Sequence, residues 1–168
     1  TNEIAAETVA AEMREYGVDA IVAMGNIGLE EEAEAVVNAG IKKFGRINIL
    51  INNAAIRPHS PLLETSKQQW AEVIDTNMNG PIWLAKKVIP LMLEGGWGRI
   101  IHFTGMNAQR GYPGASAVSV SKHALWGLTK TLAIEFGKKG ITSNVISPGT
   151  FPPDDENISN NQKFQELL

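Results

Sequence analysis

Short apolar runs that alternate with amphipathic helical stretches predict an α/β protein built in three layers around a parallel sheet. Three observations carry this. Asp19–Met24, Ile47–Ile51, Arg99–Phe103 and Ile141–Ile146 are apolar runs of strand length, each bounded by polar or glycine-containing turns. The stretches between them repeat their apolar residues at helical spacing and are long enough for crossover helices, which parallel strands require. The composition, 43% hydrophobic and 20% charged over 168 residues, is that of one domain with a buried core.

Each element has its own local reason. Ile4, Ala5, Val9, Ala10 and Met13 line one helical face over residues 3 to 16, and Gly17 suits the position after the helix. Asp19–Met24 reads as a strand buried on both faces, closed by Gly25. A helix follows over 29 to 43, with Glu30, Glu31 and Glu32 at the positive end of its dipole and Lys42 and Lys43 at the negative end. After the strand Ile47–Ile51, a loop with Pro58 and Pro61 leads to Thr65 and Ser66, each followed three residues later by a glutamine, Gln68 or Gln69, so a capping box opens a helix through Trp70, Ile74, Trp83 and Val88. Gly80 and Pro81 are expected to bend it. Gly95, Gly96 and Gly98 introduce the strand Arg99–Phe103. Leu125, Leu128, Leu132, Ala133 and Phe136 mark a helix over 119 to 138, and Pro148-Gly149 ends the strand Ile141–Ile146. Residues 151–168 are polar and read as a lid or mobile end, with a short helix over Gln162 to Leu168.

Fifteen Lys and Arg against eighteen Asp and Glu leave a net charge of −3, without the basic excess that nucleic-acid binding uses. No cysteine is present, which excludes disulfides, thiolate nucleophiles and cysteine-ligated metals. His102 and His123 have no partner at metal-ligand spacing, so no metal site is expected. No apolar run reaches bilayer length, and a soluble, cytoplasmic protein with no membrane partner is the expectation. The chain opens Thr1-Asn2-Glu3-Ile4, which reads as a cut rather than as a natural start.

From residue 44 onward the order of motifs becomes specific. Phe44-Gly45-Arg46-Ile47-Asn48-Ile49-Leu50-Ile51-Asn52-Asn53-Ala54-Ala55 is followed by Asn77 in a long helix, by Lys122-His123-Ala124-Leu125-Trp126-Gly127, and by Asn144-Val145-Ile146-Ser147-Pro148-Gly149. Over residues 3 to 153 this resembles the classical short-chain dehydrogenase/reductase family, in particular its 3-oxoacyl-carrier-protein reductase-like and sugar or alcohol dehydrogenase-like members. The resemblance implies a Rossmann-type, doubly wound sheet forming a single NAD(P)-binding domain. It also implies hydride transfer between NAD or NADP and a small-molecule alcohol or carbonyl. Asn53, Ala54, Ala55, Lys122, Pro148 and Gly149 fall at cofactor-contacting positions, with Asn26 and Ile27 where the family meets the adenine. Asn77 and Lys122 match two of the family's four catalytic positions. The helices 66–93 and 119–138 match its subunit interface, which implies a homodimer or homotetramer.

Two departures qualify this expectation. Counting from Lys122, the family's Tyr position holds Val118 and its Ser position holds Gly105, and neither side chain can give or take a proton. Gly111, Pro113, Gly114 and Gly98-Arg99-Ile100-Ile101 match the family on both flanks without gaps, so a slipped register does not account for the change. Stand-ins are weak by position. Tyr112 lies on the far side of a turn, Thr104 alternates away from residue 105, Ser119 and Ser121 are explained by helix capping, and His59 with Arg57 sits in a loop. The family's first two strands, with the glycine-rich phosphate-binding turn, and its last strand have no counterpart here. In the family's strand order 3-2-1-4-5-6-7 this leaves a gap in mid-sheet, so an incomplete record of a longer protein is expected. The function expected is therefore an oxidoreductase with altered chemistry, or else an inactive homologue that binds a dinucleotide or serves as a partner subunit.

Overall fold

The computed structural model describes residues 2–149. The expected polar lid and short terminal helix lie outside the described residues. Two helices come first, α1 (Glu3–Glu15) and α2 (Glu30–Phe44), then strand β1 (Ile49–Asn52). Helices α3 (Lys67–Ile74) and α4 (Gly80–Glu94) follow, joined by the π turn Asp75–Asn79, and then β2 (Gly98–Phe103). A 3-10 turn at Met106–Ala108, helix α5 (Ser116–Phe136) and β3 (Ile141–Ile146) complete the order.

The three strands are parallel, in the order β1-β2-β3, with Ile49 opposite Arg99 and Gly98 opposite Ile141. One sheet face carries the core: Ala33 and Val37 of α2, Leu84, Ala85, Val88, Ile89 and Met92 of α4, Leu132 of α5, Ile100 of β2 and Ile141 of β3 form one buried cluster. Ion pairs between Lys86 and Glu30 (3.2 Å) and between Lys87 and Glu34 (2.8 Å) fasten the rim of α4 to α2. The other face is open among the described residues: Ile49, Ile51 and Ile146 are exposed, and α1 buries only Ala10. This is the expected parallel α/β sheet, with one helical layer packed on it.

Three local expectations are corrected. Asp19–Met24 forms no strand, because no backbone N–H or C=O of residues 18 to 25 bonds to another described backbone group, and a strand without a ladder partner is not a strand. In the first turn of α2 the Glu32 carboxylate accepts from the Asn26 N–H at 2.6 Å, which ties the preceding loop to the helix. Where a bend is expected at Gly80-Pro81 there is a π turn just before it: Pro81 has no N–H for the residue 77 carbonyl, and the chain widens so that the Gly80 N–H reaches the Asp75 carbonyl. Helix α5 begins at Ser116, three residues before its expected start and with no side-chain cap, so Ser119 and Ser121 lie within the helix and cap nothing.

Candidate active site

The carboxyl ends of the three strands face the same way, and the segments that leave them enclose a cleft of about 870 Å³. In parallel α/β sheets this is where ligands collect, since the loops there converge while the helices pack elsewhere. Asn53, Ala54, Ala55 and Arg57 come from the segment after β1, Thr104 to Asn107 from the segment after β2, and Pro148 and Gly149 from the segment after β3. Tyr112, Val118 and Lys122 close it from the α5 side.

Lys122 is the best anchored of these groups. It is 5% exposed, and its Nζ donates to the carbonyl of Phe103, the last residue of β2, at 2.7 Å. One ammonium proton is thereby spent on the scaffold, leaving two donors for the cleft. Burial, and after it the positive charge of Arg57, pushes the Lys122 pKa down to about 8. Behind it, His102 is fully buried in β2 and its Nδ1 lies 3.1 Å from Asn52 Nδ2. An amide nitrogen donates, so Nδ1 accepts and the ring proton belongs on Nε2. Burial first, and the Lys122 charge second, lowers the His102 pKa to about 4, so the ring is neutral near pH 7.

Asn77 does not line the cleft. The π turn buries it to 1% exposure, where its Oδ1 accepts from the Ile56 N–H (2.8 Å) and its Nδ2 donates to the Ile56 carbonyl (2.9 Å) and to Ser121 Oγ (3.2 Å). Ser121 Oγ donates in turn to the Val118 carbonyl at 2.8 Å. A single amide thus ties the segment after β1 to the first turns of α5 and fixes the residue next to Arg57. Sequence reasoning assigned Ser121 to capping and had no signal for this role, because its partner Asn77 lies 44 residues away.

The structure brings Asn53, Ala54, Ala55, Lys122, Pro148 and Gly149 to one cleft, together with Gly105 and Val118. Asn26 and Ile27 lie outside it, and Asn26 Oδ1 accepts from the Gly28 N–H at 3.1 Å in a tight turn. One expectation about stand-ins is corrected. Tyr112 does line the cleft, with its hydroxyl accepting from Arg110 Nε at 2.9 Å, because the turn folds back over the strand ends. Thr104 borders the cleft beside Gly105, but its hydroxyl is buried and has no hydrogen-bond partner among the described residues, so it stays a weak stand-in. His59 instead packs against Gly114, where a Cβ would lie about 2.6 Å from the imidazole. Val118 is 3% exposed and packs with Val73, Ala117 and Trp70. Gly105 has φ 76° and ψ −176°, a conformation almost exclusive to glycine. Among the described residues there is no group of three metal-ligating side chains, and no helix is long and apolar enough to cross a membrane.

Comparison with known proteins agrees with this geometry. The short chain dehydrogenase family model matches residues 1–163. The 3-oxoacyl-acyl-carrier-protein reductase FabG of Staphylococcus epidermidis is 34% identical over 163 residues, which cover 97% of this chain and 67% of the relative. A gluconate 5-dehydrogenase from Burkholderia cenocepacia, solved with NADP and tartrate, superposes with a TM-score of 0.85 at 26% identity, covering 98% of this chain and 65% of that one. A xylitol dehydrogenase bound to NAD+ superposes with a TM-score of 0.85 at 31% identity, covering 90% of this chain and 59% of that one. The chain thus spans about two thirds of the length of these relatives.

Proposed function

The chain belongs to the short chain dehydrogenase family of Rossmann-type NAD(P)-dependent oxidoreductases, and from that premise we propose that its cleft interconverts a hydroxyl and a carbonyl on a small molecule, the whole chain acting as part of one NAD(P)-binding domain. The observation that supports this most is Lys122, a buried lysine with a lowered pKa held at the wall of a cleft where three parallel strands end. The residues present fit a nicotinamide nucleotide: Ala54 and Ala55 leave room for a flat group, Lys122 keeps two donors, one for a ribose hydroxyl and one for the substrate oxygen, and Pro148-Gly149 offers backbone on the same cleft. The relatives solved with NADP and with NAD+ support either cofactor. When bound, the nicotinamide accepts or supplies the hydride.

The chain's own residues handle the proton. In this reading Val118 and Gly105 stand at the family's Tyr and Ser positions, which leaves Lys122 to polarise the substrate oxygen and pass the proton. A pKa of about 8 is near enough to neutrality for both proton states to be reached. Tyr112 adds a phenol to the cleft wall. Asn77 acts as a positioning residue, holding Ile56 and Ser121 on either side.

The test is calorimetric binding of NAD(H) and NADP(H) to the full-length protein, followed by turnover with a panel of ketones and alcohols. We expect cofactor binding, slow turnover, and loss of turnover in Lys122→Met; full activity in that variant rules out the proton role. Val118→Tyr is expected to raise the rate. A second reading, a dinucleotide-binding or structural partner subunit without turnover, is favoured by the burial of Val118 in an apolar cluster. Tight cofactor binding with no turnover on any substrate would select it. Assembly into a dimer or tetramer through helices 66–93 and 119–138 is part of the proposal. Ile134 at 84% and Val120 at 48% exposure on α5 support it, and equilibrium sedimentation at micromolar concentration tests it.

A further inference from the structure

We propose that the cleft recognises an oxyanion on its ligand, a carboxylate or a phosphate ester, through the guanidinium of Arg57 acting with the ammonium of Lys122. The proposal rests on reading the cleft as the substrate site, and it adds the chemical class of the substrate.

Arg57 and Lys122 reach the same cleft from separate elements, the segment after β1 and helix α5. No Asp or Glu lines the cleft among the described residues. The acidic partners that do pair lie elsewhere: Glu7 with Arg14, Asp19 with Lys43, and Glu30 and Glu34 with Lys86 and Lys87. Arg57 itself makes no ion pair or hydrogen bond among the described residues. Its backbone is nonetheless held in place, because Asn77 grips both the N–H and the C=O of neighbouring Ile56.

Two like charges facing one cavity without a carboxylate between them repel, and an anion bound between them reverses the sign of that interaction. The Arg57 charge is one of the causes that lower the Lys122 pKa, which places the two within electrostatic reach. A planar guanidinium donates two parallel hydrogen bonds to a carboxylate or phosphate, while an ammonium adds a point charge, so the pair orients the anion as well as attracting it. Asn107 and Tyr112 add neutral polar groups to the same wall.

The experiment is titration calorimetry of the full-length protein at pH 7 and constant ionic strength with three probes: sodium gluconate, inorganic phosphate and neutral xylitol. We expect at least one anion to bind about tenfold or more tightly than xylitol, with Arg57→Gln removing about tenfold of that affinity and Arg57→Lys restoring part of it. Gluconate ahead of phosphate assigns a carboxylate, and the reverse order assigns a phosphate ester. Unchanged anion affinity in Arg57→Gln, or xylitol binding as tightly as both anions, overturns the inference. If anions bind through Arg57 but no cofactor binds and no alcohol turns over, the oxidoreductase reading fails and the anion site stands. If neutral ketones turn over with no anion preference, the anion inference fails and the oxidoreductase reading stands.

Discussion

His102, Gly105 and Lys122 show how far single residues here are set by their surroundings. A histidine held at a pKa of about 4 stays neutral in the fold while the unfolded chain, near 6.5, takes up a proton. The unfolded state therefore binds more protons between these two values, and stability falls as the pH drops from 6.5 towards 4. The expected loss is about 2–3 kcal/mol across that window. Urea unfolding at a series of pH values checks it, and His102→Gln, which cannot titrate, should flatten that part of the profile. Gly105 presents a different constraint. A Cβ there has room, its nearest neighbour being the Pro148 carbonyl oxygen at 3.9 Å, so the obstacle to a side chain is the backbone at φ 76°. Gly105→Ser and Gly105→Ala should each lose about 1–3 kcal/mol, and by similar amounts. A Ser much more stable than the Ala would mean that the hydroxyl finds a partner and the torsional account is wrong. Placing a serine at this position therefore needs a change of backbone as well as of side chain.

At the scale of elements, the π turn between α3 and α4 does the positioning. Pro81 displaces one hydrogen bond of the helix, the turn widens, and Asn77 is carried inward to meet Ile56 and Ser121. Asn77→Ala leaves the Ile56 N–H and C=O without their partner and is expected to cost about 2–4 kcal/mol. Equilibrium unfolding measures the loss, and faster hydrogen exchange at the Ile56 amide locates it; exchange unchanged there would show that the segment after β1 holds itself. The close fit of this region extends to Gly80, where a Cβ would lie 2.9 Å from the Ile27 carbonyl oxygen. Of this, the sequence made the helix and its capping legible: Ser66 caps α3 through the Gln69 N–H at 3.0 Å, as its spacing with glutamine predicts. The widened turn was not legible, since a proline in a helical pattern announces a disturbance without saying on which side it is absorbed.

For the whole molecule, the sheet formed by the described residues is covered on one face, and among them β1 pairs only with β2. Ile49 is 53% and Ile51 57% exposed there. An open apolar edge pairs readily with other chains. The 168-residue chain on its own is therefore expected to associate with rising concentration, and Ile51→Lys should reduce that association, as light scattering would show. Equal scattering by the two would mean that the sheet edge is not the surface involved. The run Asp19–Met24 belongs to the same account: its apolar pattern is that of a buried strand, but pairing is a property of two segments, and the described residues supply no second one.

By itself the sequence determined the parallel α/β class, three of the four strands, the helices between them, and a set of cleft residues that runs from Asn53 to Gly149. These follow from local periodicity, turn chemistry and motif order, each of which is written within a few residues of where it acts. Tertiary structure alone decided that Tyr112, Thr104 and Arg57 share a cleft with Lys122, that Asn77 supports that cleft from behind, and that Ser121 links the two. Those relations join residues 10 to 65 positions apart, and only the packing of α3–α5 against the strand ends brings them within reach of one another.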